Sequence, residues 1–350
     1  MENPESRHLI AEFEEHEATW IAWPHNRYDW PGKFAAIKWV YAEIVRILSQ
    51  SEKVNIIVQS KEHQTNAEKL LFKSNVEQSN LKFFIKKTNR GWLRDIAPSF
   101  ISVNNSLSAV GFNFNGWAKY NDYQLDNRIS KFIAHKAGIN YQDVIYNKKK
   151  VSLEGGAIDT NGKGTLITTE ECLLDDKIQV RNPAFDKKDY AKVFGEYLGV
   201  SNIIWLGKGI TGDDTHGHVD DLCRFVNDDT VVIAVEEKSS DENYKALQEN
   251  KERLKDAKVE NGKSLNYIEL PIPSPVIFKG QRLPASYANF YISNYYVLVP
   301  TFNDLNDRIA LGILSELFPD RKVIGIHSID LVWGLGTIHC LTHEQPRINL

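Results

Sequence analysis

What most limits the folds open to this chain is an order of elements that keeps returning. From Phe34 to Leu48, apolar residues at Phe34, Ile37, Tyr41, Ile44, Val45 and Leu48 recur at helical spacing, and the β-rich run VNIIV follows at 54–58. An amphipathic stretch over 62–72 leads to a strand pattern, LKFFI, at 81–85, a loop carrying WLRD at 92–95, and a further strand pattern, SFISV, at 99–103. The order returns as a helix pattern at 189–198, strand NIIWL at 202–206, loop GDDTHGHVDD at 212–221, and strand patterns at 222–226 and 230–235. It returns again as helix 241–254, strand 266–270, a proline-rich loop, and strands 288–292 and 295–299. A last helix at 305–318, stopped by Pro319, feeds strand 322–326. Units of this size cannot bury their apolar faces alone, so the pattern predicts a closed array of similar blades in one domain over 1–350. An open doubly wound sheet is the competing architecture, but neither GxGxxG nor a Walker-type phosphate loop opens a helix.

Charge and cysteine usage narrow the function. With 42 basic against 46 acidic residues and no long Lys/Arg run, nothing here attracts a phosphate backbone, so nucleic acid is not an expected partner. The start of the chain lacks a basic patch followed by an apolar stretch, and no run of about 18 apolar residues occurs. A soluble, cytoplasmic protein with no membrane partner is expected. Cys172, Cys223 and Cys340 show no CxxC spacing, which argues against a disulfide framework and a thiolate zinc site.

Four short stretches could carry chemistry. Cys340 ends the run GLGTIHC, whose glycines let backbone approach a ligand while the thiol projects; the alternative is a buried, inert cysteine, the reading given to Cys172 and Cys223. In GHVDD, a strand would put His218 and Asp220 on one side, pairing an acid/base group with an anion. The same loop offers Asp213, Asp214, His216, His218, Asp220 and Asp221 as metal ligands, so a metallohydrolase is a competing reading. In WLRD, a planar cation could stack on Trp92 and donate to Asp95, and LEGG adds Glu154 on a turn.

Taken in order, ATWIAWPHN, WLRD, FNFNGWAKY, LEGGAIDTNGKGTLITTEECLL, GDDTHGHVDD, QRLPASYANFYI and LVWGLGTIHCLTHEQP resemble the agmatine deiminase family, relatives of the bacterial-type peptidylarginine deiminases among the guanidino-group-modifying enzymes. The likeness spans nearly the whole chain. It implies a five-bladed α/β propeller, the pentein fold, with pseudo-fivefold symmetry and a central active site. It implies Cys340 as nucleophile, His218 as proton shuttle, Asp95 and Asp220 as carboxylates gripping the guanidinium, Trp92 flanking it and Glu154 helping to bind substrate. It also implies hydrolysis of agmatine to N-carbamoylputrescine and ammonia in putrescine biosynthesis, with neither metal nor cofactor, in a homo-oligomer. Arg90 and Gly91 stand where relatives often carry an acidic residue, and His216 where many carry Asp; both departures are expected near the substrate's distal end. The rivals are a deiminase of free or peptidyl arginine, a metal-dependent hydrolase built on DDTHGHVDD, and a silent binding protein on the same scaffold.

Overall fold

The structure, a computed structural model, describes residues 6–348. Its strands form five separate sheets of three or four strands beside two small hairpins. Four sheets arise by one rule: an antiparallel pair, a helix, then a parallel strand. Ser99–Val103 pairs with Ser106–Gly111, and the helix Ile129–Ala137 returns the chain to Asn140–Asp143. Ile158–Thr160 and Thr165–Thr169 are followed by Lys187–Leu198 and Asn202–Leu206. Cys223–Asn227 and Thr230–Val235 are followed by Tyr244–Leu254 and Asn266–Pro271. Tyr291–Ile292 and Tyr296–Thr301 are followed by Asn306–Leu317 and Lys322–His327.

The fifth unit is split between the two ends of the chain. Thr342–Pro346 pairs antiparallel with His16–Ala22, after which Phe34–Leu48 leads to the parallel strand Lys53–Val58, and Lys61–Lys73 to Leu81–Ile85. Each crossover helix buries one apolar stripe. Lys187–Leu198, for example, starts in a capping box between Asp186 and Asp189, buries Tyr190, Val193, Phe194 and Tyr197, and stops at Gly199 in the left-handed region that glycine tolerates.

Those helices also reach the sheet of the preceding unit. Lys187–Leu198 touches Arg7–Leu9 at the edge of the first sheet, Tyr244–Leu254 touches Asn202–Leu206, Asn306–Leu317 touches Asn266–Pro271, and Phe34–Leu48 touches Lys322–His327. Phe132 of the first crossover helix packs edge-on against Phe84 of the fifth sheet. Burying each stripe against a neighbour gives four apolar clusters rather than one. Among the described residues, no helix is long and apolar enough to cross a membrane.

Three sequence expectations need correction. WLRD is no open loop: Leu93–Ile96 makes one helical turn. His218 and Asp220 lie on no strand, because Val219–Asp221 winds into a 3₁₀ turn before the ladder begins at Cys223. The strand read at 288–292 shrinks to Tyr291–Ile292, since Asn289 is drawn inward to bond Thr337 and the backbone of His339.

Candidate active site

A short turn precedes the first strand of every unit: Leu93–Ile96, Gly155–Ala157, Val219–Asp221, the segment 286–290, and Ile338–Leu341. Leu93–Ile96 packs on both Ile338–Leu341 and Gly155–Ala157, and the latter on Val219–Asp221. The turns therefore deliver Asp95, Gly156, Asp220, Asn289 and Cys340, one from each unit, toward one place.

Gly156 marks the centre. A Cβ there would stand 2.6 Å from His218 Nδ1, 2.9 Å from Asp95 Oδ1 and 3.0 Å from Asp220 Oδ2, so only glycine leaves room for these groups to converge. Its backbone N–H donates to Asp95 Oδ1 at 3.0 Å, while Trp117 Nε1 donates to Asp95 Oδ2 at 2.8 Å. Asp220 Oδ2 lies 2.7 Å from His339 Nδ1, and Oδ1 is buried without a hydrogen-bond partner. Cys340 is buried at one end of this group. Its Sγ accepts from Asn289 Nδ2 at 3.1 Å and lies 3.7 Å from Asp220 Oδ2.

The electrostatics follow from burial and from the number of carboxylates. Burial, then the charges of Asp220, Asp221 and Asp95, push the Cys340 thiol well above its ordinary range, with the Asn289 bond opposing. Burial also raises the Asp95 carboxyl, with Asp220 and Glu154 adding to the rise. For His218, burial opposes charging, but Asp95, Cys172 and Glu154 outweigh it and hold the imidazole well above its usual value. The site thus holds a cationic histidine and a resting thiol.

Glu154 serves that histidine. Its Oε2 is 3.5 Å from His218 Nε2, and Arg181 Nε reaches both its oxygens at 3.2 Å. Burial would raise Glu154, yet Arg181 and His218 bring it down to about 2. Cys172, read from sequence as a plain core residue, lies against this pair: one ligand atom from each of Glu154, Cys172 and His218 falls within 4.8 Å of the others. The DDTHGHVDD residues, in contrast, turn to separate partners. Asp213 accepts from the backbone of Thr215, Gly217 and His218; Asp214 binds Lys119 and Tyr120; His216 binds Asp175; and Asp220 binds His339.

A cavity of about 320 Å³ opens from Cys340 and Asp95 to the surface. Trp92 forms one wall, its ring tilted 44° against Trp30 at a centroid distance of 5.2 Å. A Cβ on Gly336 would sit 2.8 Å from Trp92 and 3.2 Å from Cys340 Sγ, which explains the glycines of GLGTIHC. Nearer the mouth stand Asp29, Arg90, Tyr120 and Asp214. Arg90 is restrained: it donates to Asp122 at 2.9 Å, lies 3.7 Å from Asp29 and covers the Tyr120 ring at 4.5 Å. Asp29 Oδ2 is buried and unpartnered, and burial raises this carboxyl to about 7. Of the two departures, Arg90 lines the cavity, whereas His216 is turned to Asp175 outside its lining.

Sequence reasoning brought forward Cys340, His218, Asp95, Asp220, Trp92 and Glu154, and the structure gathers all six. It missed Asn289, Trp117, Arg181 and His339. One local signal exists in the backbone: Trp117, at φ +57°, occupies the left-handed region that non-glycine residues rarely adopt.

The sequence model of the Porphyromonas-type peptidyl-arginine deiminase family matches residues 8–346. The agmatine deiminase of Stutzerimonas stutzeri is 32% identical, the match covering 97% of this chain and 95% of the relative. A cysteine-to-serine variant of the C. jejuni agmatine deiminase, solved with substrate bound, superposes with a TM-score of 0.86 at 32% identity over 98% of this chain and 97% of the other. The Enterococcus faecalis agmatine deiminase gives a TM-score of 0.89 at 28% identity over 98% and 96%. Near-complete coverage in sequence and structure leads to one assignment: the chain belongs to the Porphyromonas-type peptidyl-arginine deiminase family, alongside these agmatine deiminases.

Proposed function

We propose that this protein hydrolyses agmatine to N-carbamoylputrescine and ammonia through a covalent intermediate on Cys340. The observation that carries the reading is the buried thiol, 3.7 Å from Asp220 Oδ2 and lining the same cavity as Asp95, with the two carboxylates converging beside Gly156. A guanidinium entering beside Trp92 would donate to both acids and present its carbon to the sulfur. The substrate's positive charge lowers the cost of ionising a thiol that burial, together with three nearby acids, otherwise keeps protonated.

As substrate binds, the thiol gives up its proton to solvent; the thiolate forms the C–S bond, His218 gives its proton to the departing nitrogen, and the C–N bond breaks to release ammonia and leave an S-alkylthiouronium. His218 then takes a proton from water, the hydroxide adds to the same carbon, the C–S bond breaks to return the thiolate, and the hydroxyl proton passes to solvent to leave the carbonyl of N-carbamoylputrescine. Glu154, expected to help bind substrate, in this reading also supports the charge on His218 across 3.5 Å.

Agmatine is favoured over arginine by the mouth of the cavity. Asp29 and Asp214 stand there, Arg90 is already engaged by Asp122, and the buried Asp29 Oδ2 lacks a donor that an ammonium would supply. A carboxylate in the same place would meet Asp29, with Asp214 already paired with Lys119 and Tyr120. The five sheets read as blades of one five-bladed propeller domain, supported by the contacts that run from each crossover helix to the preceding sheet and return to the start. Ammonia release measured with agmatine, free arginine and an arginyl peptide is the test. Agmatine should be preferred by at least tenfold in kcat/KM; equal or better turnover of either arginine substrate would overturn the assignment.

A further inference from the structure

His339, next to the thiol, is used by nothing above except its bond to Asp220. Both ring nitrogens face carboxylates: Nδ1 is 2.7 Å from Asp220 Oδ2 and Nε2 is 2.8 Å from Glu12 Oε2. Only a doubly protonated imidazole donates to both. Glu12 is a fixed anion, for despite its burial Arg224, His339 and Arg94 hold it well below the ordinary carboxylate range, with Arg224 at 2.9 Å and Arg94 at 2.8 Å. The His339 backbone is pinned as well, its carbonyl by Arg94 Nε and its N–H by Asn289 Oδ1. One of Asp220's oxygens is thereby occupied, and the other, Oδ1, is left bare in the buried site.

We propose that His339 is a positioning residue: as an imidazolium anchored on Glu12, it locks Asp220 so that Oδ1 alone is offered to the substrate, and it places a positive charge one residue from Cys340. The charged groups around it come from every side: Asp220 before the third sheet, Glu12 before the fifth, Arg94 from the turn before Ser99–Val103, Arg224 and Asp159 from adjoining strands, and Cys340 in sequence. Arg224 and Arg94 flank Glu12 at 2.9 and 2.8 Å. The consequence is a site charge that rests on two histidines, with His218 moving protons and His339 retaining them.

The inference rests on the deiminase reading for its kinetic arm only. In the intact protein carrying ¹⁵N-labelled histidine, the resonances lost in His339→Gln should show both ring nitrogens protonated at pH 7. A bare nitrogen would overturn the proposal whatever the enzyme's activity. His339→Gln retains a donor for Asp220 but no charge. It should raise the pH at which Cys340 is alkylated by iodoacetamide, and in a Cys340→Ala background weaken agmatine binding by about 10-fold or more. An alkylation profile superimposable on that of the wild type, with only the melting temperature lowered, would reduce His339 to a structural role.

Discussion

Replacing Gly156 by alanine probes the site with one carbon atom. The new Cβ would lie 2.6 Å from His218 Nδ1, against an ordinary contact of 3.4 Å or more, with Asp95 Oδ1 at 2.9 Å and Asp220 Oδ2 at 3.0 Å. Three groups that converge on one substrate must each give way, His218 by about 0.8 Å, and a misplacement near 1 Å costs roughly 100-fold in rate, or about 2.7 kcal/mol of transition-state stabilisation. Overpacking a buried site adds a stability cost of about 1–3 kcal/mol, too small to unfold a protein of this size. Gly312→Ala is the control. It lies in the helix Asn306–Leu317 with nothing within 4 Å of the added methyl, so it should stabilise the fold by about 0.5–1 kcal/mol and leave activity alone. Steady-state ammonia release, with folding checked by near-UV circular dichroism, reads both variants. If folded Gly156→Ala turns over agmatine within threefold of the wild type, the guanidinium does not bind where these three side chains meet.

Two further substitutions test the charges. Asp29→Asn should raise KM for agmatine by 10-fold or more while leaving a neutral-tailed alkylguanidine unaffected; equal losses on both substrates would remove Asp29 from the distal subsite. The same variant has a stability signature. Because folding raises this carboxyl from 3.8 to about 7, the native state holds a proton the unfolded chain has lost, and stability falls as pH climbs through that window. Asp29's share of the fall amounts to about 4 kcal/mol, so between pH 4 and pH 8 the wild type should lose about that much more stability than Asp29→Asn, read by denaturant titration. Arg181→Met leaves Glu154 buried without its cation and should destabilise the protein by about 3–5 kcal/mol at neutral pH. Glu154 has the opposite sign to Asp29: held at about 2 against 4.5, it contributes stability above pH 4.5 that disappears as pH falls toward 2, so the variant should show a shallower acid limb.

How much the sequence disclosed depended on how local each signal was. Most crossover helices were legible because amphipathic spacing reports burial directly, and Phe34–Leu48 has the predicted limits, but the short Ile129–Ala137 went unread. The fifth unit was hidden because its first strand, Thr342–Pro346, comes after all the others and pairs with His16–Ala22 near the beginning. His218 and Asp220 share a site although the strand argument for them fails. The 3₁₀ turn that replaces the strand places both at the Gly156 point, a geometry that period-2 spacing cannot express. Arg181, Asn289 and His339 gave no local sign, since each acts on a residue from another part of the chain: Glu154, Cys340 and Asp220. Glycines were the better guide. Gly156 and Gly336 both mark places where a side chain would collide with candidate site residues.

The central claim is that the Cys340 sulfur bonds to the guanidinium carbon. Acid quenching during agmatine turnover, followed by intact-mass measurement and peptide mapping, looks for that bond directly. An adduct on Cys340 heavier than the free thiol by the mass of agmatine less ammonia is the predicted result, and it should be absent from Cys340→Ala. Full turnover by Cys340→Ala, or an adduct mapped to Cys172 instead, would contradict the account.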